Sequence, residues 1–198
     1  MVNLYGTQLA AIDEAFVVDS LLLAELPLDA VLARADAGEL MACVPRLCAL
    51  TVNNQLGKVP STEIFERIAT VWPTFSDPQR AAVFELVTLW WQASLGIYPS
   101  DPNPSQVLAS LARLPMPLSH WLDYWLRDLD EAQAAHIADL VLTGIDSDDW
   151  TAIPDQRGQV IAWLKSEPVA IGLTFVAGVH FEKGVLGQLL DRLVRQSS

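Results

Sequence analysis

Two short spacings in this 198-residue chain pair a proton-transfer group with a carboxylate: His120-x-x-Asp123 and His136-x-x-Asp139. Residues three apart share one face of a helix, and two such helices facing each other would bring two imidazoles and two carboxylates together, as in helical-bundle metal sites. A lone HxxD pair is a weak signal, because acidic helix surfaces produce such pairs as local hydrogen-bonded neighbours. Metal binding is therefore carried as an alternative, and neither a metal nor a cofactor is assigned. The third histidine, His180, lies in the apolar 169–181 stretch and reads as a core residue. Cys43 and Cys48 are the only cysteines. Five positions apart on one helix they would point about 140° from each other, which disfavours a disulfide, and the spacing fits no zinc motif.

The other candidate follows Gly144: Asp146, Ser147, Asp148, Asp149 and Trp150. Three carboxylates suit a hard cation, but the run lacks the glycine and terminal glutamate of an EF-hand loop. The plainest reading is a solvated turn capping the next helix. The functional reading is a partner-facing loop, with Trp150 as apolar centre and Asp146, Asp148 and Asp149 as its polar rim. No Gly-rich phosphate loop, nucleophile elbow, HExxH or paired-cysteine motif is present, so the chain is not expected to be an enzyme.

The charge distribution supports the same direction. Net charge is −12, and the acids fall in two blocks: seven against one arginine in residues 1–45, and nine against Arg127 alone in residues 123–155. Such a surface repels phosphate backbones and makes nucleic acid an unfavourable partner, while it favours a basic protein. The common alternative is that the acids keep an oily chain dissolved, for 52% of residues are hydrophobic and mean hydropathy is +0.29. The 169–181 run is too short to span a bilayer, and acids at Asp13 and Glu14 interrupt the place where a signal peptide would need its hydrophobic segment. The expectation is a cytoplasmic protein that binds no membrane.

These residues must be positioned by helices, since no sustained alternating pattern occurs anywhere. The organising stretch is 76–96. Ser76 suits a cap, Pro78 a first turn, Gln79 the third position after the cap, and Gly96 a stop. Val83, Leu86, Val87 and Trp90 line one face and Phe84, Thr88, Trp91 and Leu95 a second, so this helix requires neighbours on both sides. Before it come a helix over 7–25 ended by Pro27, a short one over 28–37 closed by Gly38, one over 39–52 containing Pro45, and one over 61–72 with Ile64, Ile68, Val71 and Phe75 on a stripe. The 53–60 loop is the best internal boundary. After it, 96–104 is a proline loop, followed by helices over 104–114, 119–129 and 130–143. Leu118, Trp121, Leu122, Trp125 and Leu129 form an aromatic stripe of the packing kind.

An internal echo runs through these segments. Residues 75–89 and 129–143 align without a gap at a shift of 54, matching Gln79 to Gln133, Leu86 to Leu140 and Val87 to Val141. The fold expected is all-α, a single multi-helix domain over 1–198 with three-helix repeats of about 53 residues, stacked in the manner of a short α-solenoid or helical bundle. Its subdivisions would be 1–53, 61–114, 116–166 and 168–198. The function expected is a protein-interaction module, an adaptor or an inhibitor of the toxin-immunity type, that binds a basic or apolar protein. The two other classes are a metal-binding helical protein or enzyme built on the HxxD pairs, and a structural subunit or homo-oligomer.

Overall fold

Local capping chemistry sets the helix starts. Asp36 accepts a hydrogen bond from the Glu39 amide at 2.9 Å while the Glu39 carboxylate accepts one from the Asp36 amide at 3.0 Å, a reciprocal box that satisfies two otherwise orphaned donors. The same box recurs between Asn103 and Gln106, and Asp130 accepts from the Gln133 amide at 2.8 Å. In the computed structural model, which describes residues 5–16, 28–127 and 129–180, every regular element among those residues is helical. The elements are α1 (Gly6–Phe16), α2 (Leu28–Arg34), α3 (Ala37–Val52), α4 (Ser61–Val71), α5 (Asp77–Leu95), α6 (Pro104–Leu111), α7 (Leu118–Arg127), α8 (Glu131–Leu142), α9 (Asp148–Thr151), α10 (Pro154–Leu164) and α11 (Glu167–His180). Short 3-10 turns precede α5 at Trp72–Thr74 and α9 at Gly144–Asp146.

The central helix falls where its signals place it. The Ser76 amide donates to the Gln79 side chain at 2.8 Å, and Val83, Leu86, Val87, Trp90, Trp91 and Leu95 are buried. One boundary moves. Gly38 does not end the second helix but lies in the first turn of α3, because the Asp36–Glu39 box starts a helix there. Pro45 is inside α3, well past its first turn. The part of the expected 7–25 helix beyond Phe16, and residues 181–198, lie outside the described residues.

Two compact units divide the chain, residues 1–92 with 113–115 and residues 93–112 with 116–198. In the first, α3 packs on α1, α2 and α4. Phe16 meets Phe75 edge-on at 5.1 Å between centroids, and Phe65 stacks on Trp90 at 5.7 Å, within the favourable range for aromatic pairs. Cys43 and Cys48 are free and buried here, and burial pushes the Cys48 thiol up to about 12, which leaves it unreactive at neutral pH. The 53–60 loop belongs to this same unit, turning through Asn54 and Gly57 at φ of 53° and 64°.

In the second unit α6 packs on α8 and α9, α10 on α7, α9 and α11, and α11 on α7 and α8. Its aromatic centre is Trp125, stacked on Trp163 at 5.6 Å. At the start of α5 the Ser76 amide donates to the Gln79 side chain, whereas at the start of α8 the Gln133 amide donates to the Asp130 side chain.

Candidate functional site

The acidic run after Gly144 forms a 3-10 turn and the single-turn helix α9, and its tryptophan is turned inward. Trp150 is wholly buried, and its indole N–H donates to Ser105 Oγ at 3.1 Å. That corrects the expectation of a surface anchor. An indole is large, and once buried its N–H needs an acceptor; Ser105 at the start of α6 supplies one. Gly144 makes the approach possible, since a Cβ there would stand 2.7 Å from Ser105 Oγ. Asp146 is committed as well, to Arg157 Nη2 at 2.6 Å, while Arg157 Nε donates to the Ile145 carbonyl at 2.9 Å. Asp148 is exposed and Asp149 half-buried, in the first turn of α9, where carboxylates complement the helix dipole. The four residues are neighbours, but without an apolar centre on their surface.

The two HxxD pairs part company. His120 and Asp123 are exposed on α7, the His120 ring lying edge-on to Trp121. His136, on α8, is buried and lies 2.9 Å through Nε2 from the carbonyl oxygen of Ile97. A carbonyl only accepts, so Nε2 carries the proton and donates. Burial lowers the His136 pKa below its ordinary value, against the opposing effects of that hydrogen bond and of Asp139 and Asp130. No group of three or more potential metal donors converges among the described residues. The side chain of His180 lies outside them.

What His136 does organise is the loop over 96–103, which the sequence marked only as a proline break. Tyr98 packs across the imidazole, with ring centroids 5.0 Å apart at 65°, and its hydroxyl is hydrogen-bonded to Asp139. Burial first, then that bond and the negative charge of Asp139, raise the phenol pKa. A phenol so held stays protonated and is a donor, not a nucleophile. One face of the loop remains in water: Ile97 is 69% exposed and Tyr98 46%.

Facing them is the start of α8. Trp125 Nε1 donates to the Gln133 carbonyl at 3.2 Å, fixing the first turn of that helix, and Asp130 caps it. Gly96, Ile97 and Tyr98 on one side and Asp130, Glu131, Ala132 and Ala135 on the other enclose an open recess of about 510 Å³. Its lining combines Ile97, Tyr98, Ala132 and Ala135 with the acidic Asp130 and Glu131, and includes no basic residue. The exposed Ile171 and Phe175 on α11, with Ala170 and Thr174, make a second apolar patch, but no charged residue lines it. The sequence signal for the recess was the Ile97-Tyr98 pair, two large apolar residues set in an otherwise polar proline loop.

No helix among the described residues is long and apolar enough to cross a membrane. Comparison with protein-family models, with characterised proteins and with solved structures finds no match for this chain.

Proposed function

We propose that the protein is an interaction module, of the adaptor or inhibitor kind, whose protein partner docks on the loop over 96–103. The observation that carries this reading is the exposure of Ile97 and Tyr98 beside the acid-walled recess, on a loop pinned from below by His136. Two large apolar side chains held in water by a hydrogen-bonded mount are costly unless something covers them. Pre-organisation then works in favour of binding, because little loop entropy remains to be lost.

The charge gives the partner its sign. Asp130 and Glu131 line the recess beside the exposed pair and Asp139 meets the Tyr98 hydroxyl, within a chain of net charge −12. A partner presenting basic residues around an apolar centre complements this surface, and electrostatic steering would speed its association at low salt. The test uses the immobilised full-length protein as bait in extract from its native host, followed by kinetics on the partner identified. Ile97→Ser with Tyr98→Ala is expected to abolish capture, whereas Asp148→Asn with Asp149→Asn on α9 is expected to leave it intact. The reverse pattern would return the contact to α9 and remove the loop from consideration.

A further inference from the structure

We propose that the recess between the 96–98 segment and the start of α8 is an arginine pocket, receiving one arginine side chain of the docked partner. The inference rests on the reading of the loop as a docking surface and specifies the chemistry it selects. Three features of the recess converge on a guanidinium. Gly96, Ile97, Ala132 and Ala135 give the recess an aliphatic lining that suits the methylene stem of a long basic side chain. Asp130 and Glu131, consecutive in the lining, bring carboxylates for the charged head, the Asp130 carboxylate also accepting from the Gln133 amide. Tyr98 supplies an aromatic ring whose orientation is set by its contact with His136 and its bond to Asp139.

Arginine answers all three at once. Its guanidinium is planar, weakly hydrated and permanently charged, stacks on aromatic faces, and carries five donors in a fork that matches carboxylate geometry. An ammonium is a compact, strongly hydrated charge that could meet the carboxylates but gains less from the ring. The chain's own arginine nearest in sequence to α8 does not compete, for the Arg127 guanidinium lies over the Tyr124 ring, 5.2 Å from its centroid. That pairing is an internal instance of the contact proposed for Tyr98.

The experiment is a titration of the isotopically labelled full-length protein with three capped tripeptides, Leu-Arg-Leu, Leu-Lys-Leu and Leu-citrulline-Leu, followed by NMR at the Ala132 and Ala135 signals. Citrulline keeps the shape of arginine and removes its charge. The expected result is a saturable shift of both alanines with the arginine peptide, on the order of tenfold weaker binding for citrulline, and weaker binding for lysine. Glu131→Gln should weaken the arginine peptide several-fold with an unchanged circular dichroism spectrum and melting temperature, since one carboxylate of the head group is lost. Equal affinity for citrulline or lysine, shifts confined to other residues, or no shift at millimolar peptide would overturn the assignment. The two levels separate cleanly. A partner that is lost on Ile97→Ser with Tyr98→Ala but holds to Glu131→Gln at wild-type affinity keeps the docking surface and removes the arginine pocket; a partner indifferent to both removes the two together.

Discussion

His136 Nε2 donates to the main-chain oxygen of Ile97, 39 positions earlier in the chain, across 2.9 Å. The bond joins a buried helical side chain to the base of an exposed loop. It makes His136 the support for two large side chains exposed to water.

The first prediction is a pH dependence. Because burial lowers the His136 pKa in the folded state from its ordinary 6.5, the unfolded chain binds the proton more readily. The stabilisation associated with the neutral imidazole is therefore complete above about pH 6.5 and is lost as the pH falls through that value to the lower native one. Urea denaturation of wild type and His136→Gln at pH 7.5, 6 and 5 measures it. The difference in stability between the two should shrink as the pH falls; a difference that is flat or grows on acidification would show that His136 is not held neutral.

A second prediction concerns the central helix. Leu86 on α5 is fully buried, and Leu86→Ala should cost about 2–5 kcal/mol, through lost burial and the cavity left behind. Chemical denaturation decides this, and a loss below about 1 kcal/mol would mean that the helix is peripheral.

Trp150 provides a third. Trp150→Phe keeps most of the ring but leaves Ser105 Oγ without its indole donor, and should cost about 1–3 kcal/mol. Gly144→Ala should act on the same contact, because the new methyl would press on Ser105. Both break one interaction, so their combined cost should fall short of the sum of the two. Strict additivity would show that the two sites are independent.

Much of the fold was legible because the helices carry their own punctuation. Ser76 with Gln79, Asn103 with Gln106 and Asp130 with Gln133 mark starts that need no tertiary information, and the stripe of Leu118, Trp121, Leu122 and Trp125 is buried as its period requires. Asp36 with Glu39 follows the same grammar but was overshadowed by Gly38, whose usual meaning as a stop is overridden when a capping box begins around it. The site was hidden for a different reason. Nothing local distinguishes a tryptophan among aspartates that faces a partner from one that turns inward: the side of α9 on which Trp150 falls is decided by Ser105, 45 residues away. The His136–Ile97 bond is equally non-local, so His136-x-x-Asp139 showed its spacing without showing that Tyr98 and the 96–103 loop complete it.

The most direct test of the docking surface is the dissociation rate of the identified partner from wild type and from Tyr98→Ala, measured by surface plasmon resonance at two salt concentrations. Truncating a ring at the centre of an interface acts chiefly on dissociation, while the surrounding acids act on association. The account predicts dissociation faster by about tenfold or more in Tyr98→Ala, with association slowed by salt in both proteins. An unchanged dissociation rate for Tyr98→Ala, in a variant that retains the wild-type circular dichroism spectrum, would contradict it.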